Sequence, residues 1–181
     1  KGRTQRGNRR GQNHQNKKDM KVVSNSTPLI GLASIGRFNL LYEFFGEISV
    51  AQAVYDETVT HGHEVGGAKK EVSSAKWIRV HQVKDRFAVE ILLEELDLGE
   101  SETIVLAREI SAYYVLMDER KGRRMLDRLG MPKIGTVGIL LRAKKEGVIK
   151  SLRSELEKLQ KNGFSLDRAI LEEVVKEAGE Q

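Results

Sequence analysis

Asn25 in VVSNSTPLI, Glu57 in VAQAVYDETV, Glu102 in LGESETIVLA and Asp118 in YYVLMDERKGRR carry side-chain oxygens to points where β-strands should give way to loops or helices. In open α/β sheets ligands bind beyond the carboxyl ends of strands. One amide and three carboxylates converging there make an oxygen-only donor set suited to a hard cation, Mg²⁺ or Mn²⁺. A divalent ion so held activates water and neutralises charge on a phosphorus centre, which is most of what phosphodiester hydrolysis asks of a protein. Taken singly, each residue has an ordinary explanation. An Asn or Asp at a strand end turns or caps the chain, a Glu in a first helical turn serves the macrodipole, and a mid-helix Glu is solvated. The chemistry rests on joint placement.

The elements that must provide that placement follow from hydrophobic periodicity. KVVSN is a β-branched run that suits a buried first strand, and TPLIGLASIG spaces Leu29, Ile30, Leu32, Ala33 and Ile35 helically behind Pro28. FNLLYEFF continues as a helix, GEISVA as a second strand, and QAVYDETVTHG as a helix carrying Glu57 about two turns in. EVGGAKKEVSSA is polar and helical, WIRVHQV alternates like a peripheral strand, and DRFAVEILLEEL sets Phe87, Ile91, Leu92 and Leu96 on one helical face. In DLGESETIVLAREISA, Ser101 and Glu102 are expected to open a helix; YYVLMD follows as a central strand. A helix over 119–129, the strand-like PKIGTV, the helix VGILLRAKKEG and two C-terminal helices complete the chain. This alternation predicts a three-layer α/β/α fold around a central, parallel-rich sheet.

At 181 residues and 39% apolar composition, one soluble domain is expected. Cysteine is absent, which excludes disulfides, thiolate metal sites and a cysteine nucleophile. No segment resembles a signal sequence or a membrane span, so a cytoplasmic location is expected. The net charge of +5 is concentrated at one end: seven basic residues and one acidic residue lie in positions 1–19, which contain no apolar side chain. We read 1–19 as a disordered basic tail or extension, with Met20 as a natural start, 20–150 as the domain, and 151–181 as C-terminal helices packed on it. From Met20 onward acidic residues slightly outnumber basic ones, so any nucleic-acid surface has to be local. Arg120, Lys121, Arg123 and Arg124 after Asp118 could form one, or simply a solvated helix face. His61 and His63 lack a third ligand and read as surface loop. Trp77, Tyr113 and Tyr114 read as core or interface residues, and Thr136 either donates a hydroxyl near the acidic cluster or caps the next helix.

In this order and spacing, VVSNSTPLIGLASIGRFNLL, VAQAVYDETV, LGESETIVLA, VLMDERKGRR and IGTVGILLRAKKEGVI resemble the signatures of the PIN-domain superfamily. The likeness is to its small prokaryotic PIN-like members related to toxin nucleases. It runs from Met20 to about Ile149 and implies a PIN-like fold with metal-dependent endoribonuclease activity. By the resemblance, the first acidic position falls on Asn25 with Ser26 beside it, and the second on Glu57. The third falls on Glu102 with Glu100 as an alternative, and the fourth on Asp118 with Glu119 as an outer contributor. Ser26, Arg123 and Thr136 are the expected substrate-binding residues. PIN domains usually present Asp at the first position; Asn25 replaces an anionic ligand with a neutral carbonyl oxygen, which weakens divalent-ion affinity.

The setting implied is the toxin half of a toxin–antitoxin pair, with an RNA substrate, a small antitoxin partner and a homodimer. Apolar surface from Leu29, Leu32, Ile35, Leu40, Leu41, Phe44 and Phe45 is consistent with that dimer. The alternative is a catalytically silent nucleic-acid- or protein-binding module that keeps the acidic pocket. A response-regulator-like domain would need a phosphoacceptor Asp at an earlier strand end and a Lys after a late strand, and the sequence offers neither.

Overall fold

Val22 and Val23 favour extended backbone and carry no polar group to either face, so they suit a strand covered on both sides. The computed structural model describes residues 20–62 and 67–180. In it Val22–Ser24 forms β1, buried throughout. Ile48–Ala51 (β2), Ile78–His81 (β3), Tyr114–Leu116 (β4) and Lys133–Ile134 (β5) complete one sheet in the order β3-β2-β1-β4-β5, with every neighbouring pair parallel. The chain builds outward from β1 in one direction through β2 and β3, then returns to build in the other through β4 and β5. The crevice between β1 and β4 is therefore the switch point of the sheet.

Helices cover the sheet: α1 (Ser26–Ser34), α2 (Asn39–Phe45), α3 (Gln52–Tyr55), α4 (Ala68–Ser74), α5 (Arg86–Leu92), α6 (Leu98–Glu109), α7 (Arg120–Arg128), α8 (Thr136–Lys145), α9 (Leu152–Lys161) and α10 (Arg168–Glu177). This is the three-layer α/β/α architecture expected. The most enclosed helix is α6, buried without interruption from Gly99 to Ala107, because it packs across β1, β2 and β4. Its Ile104 and Leu106 join Leu29, Leu32, Leu41, Phe45, Ile48, Leu116, Met117, Leu126, Ile139 and Leu140 in the core.

Three expectations are revised. The apolar side chains of α1 and α2 are consumed within the chain's own core: Leu29, Leu32, Leu40, Leu41, Phe44 and Phe45 are all buried, leaving little of that surface for a dimer. On α5, Val89 is the buried residue; Phe87 and Ile91, two positions to either side and so turned about 200° away, are 72% and 55% exposed. The helix expected to carry Glu57 is a single α-turn, α3, running straight into one π-helical turn, Asp56–Thr60. Positions 1–19 and His63 lie outside the described residues. Among the described residues no helix is long and apolar enough to cross a membrane.

The C-terminal helices belong to the same core through Leu152, Leu156, Leu159 and Val175. Beyond α10, Glu180 turns back onto the start of α9. Its carboxylate accepts from Leu152 N (2.7 Å), Arg153 N (3.0 Å) and Ser151 Oγ (3.0 Å), and pairs with Lys144 Nζ at 3.0 Å. A carboxylate on free helix N–H groups is favoured both by hydrogen bonding and by the macrodipole. Burial pushes this carboxyl up, but the two backbone N–H groups with Lys144 and Ser151 outweigh it and hold it at about 2 instead of 4.5. A lowered folded-state pKa stabilises above the unfolded value and is lost as the group protonates. Acidification from pH 4.5 towards 2 should therefore release α10, seen as faster amide exchange over 168–177; Glu180→Gln should show that fast exchange already at neutral pH.

Candidate functional site

Because the strands run one way, the segments leaving β1 and β4 emerge side by side at the carboxyl edge. Asn25 N donates to Leu116 O at 2.9 Å, which locks the two exits together. Asn25 then occupies the N-cap position of α1 and is buried. Its Nδ2 donates to Glu119 Oε2 at 3.0 Å and lies 3.5 Å from Met117 Sδ; its Oδ1 is buried without a hydrogen-bond partner. Thr27 Oγ1 donates to Glu119 Oε1.

Asp118 leaves β4 into the mouth of the crevice. Its Oδ1 accepts from Thr136 N at 2.7 Å and its Oδ2 from Thr136 Oγ1 at 2.6 Å, so the buried first residue of α8 fixes the plane of the carboxylate. Each oxygen retains a second lone pair. Arg123 Nη1 donates to Met117 O at 2.8 Å, beside Asp118. Gly135 leaves space for this pair, since a Cβ there would stand 2.8 Å from Asp118 Oδ1 and 3.2 Å from Arg123 Nη1.

Glu57 enters from the π-turn. His61 N donates to Asp56 O at 2.7 Å and closes a wider turn around Glu57, a device frequent at functional sites. The carboxylate lies over the start of α6, where a Cβ on Gly99 would come within 2.6 Å of Glu57 Oε1. Only glycine at 99 leaves room for the carboxylate in this position.

Glu100 and Glu102 sit two residues apart on α6, about 200° around the helix, and serve different places. Glu100 Oε2 accepts from Asp97 N at 3.0 Å while Asp97 Oδ1 accepts from Glu100 N at 2.7 Å, a reciprocal capping box. Its carboxyl faces Glu119 and the backbone of Gly122. Glu102 is buried in the other direction, where Oε1 pairs with Arg86 Nη1 at 2.6 Å and Oε2 accepts from Ala53 N at 3.0 Å. Both oxygens of Glu102 are committed to joining α6, α5 and the first turn of α3. The structure thus gathers Asn25, Ser26, Glu57, Glu100, Asp118, Glu119, Arg123 and Thr136 at the crevice and turns Glu102 away from it. D97-L-G-E100 is a legible helix start; taken as such, it would have set the two glutamates on opposite faces. Thr27 and Gly99 carried no signal beyond their neighbours.

The assembled carboxyls repel one another. Glu57 is pushed above 4.5 by partial loss of water, eased by the Ser26 hydroxyl and reinforced by the charges of Asp97, Glu119 and Glu100. Glu100 is raised by burial, with the Asp97 N–H opposing and Asp97 and Glu119 adding to the rise. Burial raises Asp118 above 3.8 despite both Thr136 hydrogen bonds and Arg123, and Glu119 raises it further. The donor chemistry fits Mg²⁺ or Mn²⁺: oxygen atoms only, no thiolate, and carboxylates whose charge a cation would offset. Among the described residues no three carboxylates or imidazoles stand close enough together to hold an ion.

The raised groups fix a sign. An acid whose folded pKa exceeds its unfolded one costs stability when ionised, and that cost disappears as pH falls through the folded value. In EDTA, melting temperature should therefore climb as pH is lowered from neutral towards 4.5, before the Glu180 contribution starts to fail. Asp118→Asn and Glu57→Gln should each raise the neutral-pH melting temperature and flatten that climb; a melting temperature that falls steadily over the interval would contradict the raised pKa of these carboxyls.

No curated protein matches the chain. A family model described as a PIN domain matches residues 21–180, covering the sheet, the acidic crevice and the C-terminal helices alike. With its five-stranded parallel sheet and acidic carboxyl edge, the chain belongs to the PIN-domain family and has that family's nuclease-type fold.

Proposed function

We infer that the protein is a divalent-metal-dependent endoribonuclease. The observation that carries this reading is the set of carboxylates from three separate segments, Glu57, Glu100 and the Asp118–Glu119 pair, each within reach of another's charge at one sheet edge. Glu57, Glu100 and Asp118 are the residues that would hold Mg²⁺ or Mn²⁺, with Glu102 acting from behind as a strut. A bound divalent ion supplies an activated water and charge neutralisation at the scissile phosphate.

The chain's own residues do the rest. Thr136 orients Asp118, Ser26 steadies Glu57, and the capping box holds Glu100 by one oxygen. Arg123 spends one N–H on Met117 O and keeps others for a phosphate oxygen. Arg120, Lys121 and Arg124 are exposed on α7 immediately after the acidic pair, which gives the nearly neutral body a local strip for an RNA backbone. The toxin role, the antitoxin partner and the homodimer enter on the family likeness alone.

Single-stranded RNA incubated with the full chain and Mn²⁺ should be cleaved, and EDTA should stop it. Asp118→Asn should lower the rate more than about a hundredfold, beyond what outer-shell changes at metal sites cost. Glu100→Gln should also lose activity. Glu102→Gln should retain most of it, and Arg86→Ala should cost about 1–2 kcal/mol of stability, discounted for the exposed side of that pair. Cleavage unchanged in EDTA and in Asp118→Asn would remove the reading. If Mn²⁺ neither binds nor raises the melting temperature, a silent binding module replaces it.

A further inference from the structure

Asparagine is favoured at helix N-caps because its side-chain oxygen accepts a backbone N–H from the first turn. Asn25 holds that position in α1, with the extended backbone it requires (φ −77°, ψ 174°), yet its side chain makes no capping bond. The amide crosses to the other strand exit and donates to Glu119 Oε2, while Thr27 donates to Glu119 Oε1. Both oxygens of a single carboxylate, over ninety positions away in the chain, are thus gripped by the first residues after β1.

This bond also fixes which way the amide faces, since the reversed orientation would set Oδ1 against a carboxylate oxygen. Oδ1 is on the other branch, closed off from solvent in a residue only 2% exposed, and so is poorly placed to meet an ion entering the crevice. An aspartate at 25 would bring a charge but no N–H for Glu119; Asn25 brings the N–H, and Glu119 brings the charge.

We propose that Glu119 supplies the negative charge missing at position 25, and that Asn25 and Thr27 act on a bound divalent ion only through it, as positioning residues. The proposal rests on the metal-dependent reading above. Glu119 has the central place this requires: among the described residues its charge acts on Glu57, Glu100 and Asp118 alike. It also directly follows Asp118 and shares its approach to the crevice.

The test is a double-mutant cycle read as Mn²⁺ affinity, by calorimetry on the EDTA-stripped and dialysed full chain. Glu119→Gln should weaken binding by at least about tenfold, as expected for loss of a carboxylate donor to a hard cation. Asn25→Ala and Thr27→Val should each weaken it by about three- to tenfold in the wild-type background and by less than about twofold once Glu119 is Gln, because residues acting through one group are not additive. The ion-free melting temperature checks folding, and Glu119→Gln should leave it equal or higher by removing a repelling charge. Thr27 is only partly buried, so Thr27→Val carries the test should Asn25→Ala not fold.

Unchanged affinity in Glu119→Gln would overturn the proposal. So would an Asn25→Ala loss that is equally large in both backgrounds, which would make Asn25 itself the ligand. In either case wild-type Mn²⁺ binding and cleavage would leave the nuclease reading standing. A wild-type chain that binds no Mn²⁺ overturns both.

Discussion

Partial burial of mutually repelling carboxylates at the carboxyl edge of the sheet is the constraint around which the site is organised. Each acidic side chain there is held against it by donors from another segment or from its own helix start. Thr136 holds Asp118, Asn25 and Thr27 hold Glu119, and the Asp97 N–H holds Glu100. These hydrogen bonds favour the charged forms without neutralising them, so net negative charge remains to attract a cation. The strain is local, and the aliphatic core between sheet and helices offsets it. A nuclease-type fold accepts such an arrangement because the charges gather where the sheet ends, outside the layer that buries Leu116, Met117 and Ile104.

Helix α6 links this crevice to the body. Its first turn presents Glu100 to the acidic residues and leaves space at Gly99 for Glu57. Two residues beyond Glu100, Glu102 ties the same helix to Arg86 and to the Ala53 N–H at the start of α3. Because α3 runs directly into the π-turn, the tie to Ala53 sets where Glu57 begins its approach, and Gly99 leaves room where it ends. Two glutamates that look interchangeable on paper divide the work: one faces the site, and the other braces the element that brings in its partner.

The layers and the parallel strand directions were legible because β-branched runs alternate with helical periods along the chain, and that rhythm allows few topologies. Asn25 and Asp118 could be singled out because each lies within two residues of a strand end, where the backbone fixes position, whereas Glu57 stands six residues past β2 on the π-turn. The resemblance puts Glu102 first with Glu100 as the alternative, and a helix opened at Ser101 does not separate them; Asp97 caps the helix instead, and a shift of a few residues turns a side chain to another face. The exposed face of α5 was misread for a related reason. Phe87 and Ile91 have helical spacing, but only tertiary placement decides which stripe of a short helix meets the core. The π-turn and the grip of Thr27 on Glu119 depend on contacts across the fold, which no local pattern announces.

The diversion of Asn25 from its capping position has a cost that the sequence itself limits. An N-cap side chain accepts from the second or third residue of its helix, and losing such a bond ordinarily costs about 1 kcal/mol. The third residue of α1 is Pro28, which has no N–H, so one of the two capping bonds open to Asn25 does not exist in this chain. Proline also presets the first-turn backbone, so the helix start depends less on a side-chain cap. Thr27 supplies the second residue, and its hydroxyl goes to the same carboxylate as the Asn25 amide. In N-S-T-P the helix is started by proline geometry, and Asn25 and Thr27 are free to reach across the crevice. The segment reads as a capping sequence and serves as a clamp on Glu119.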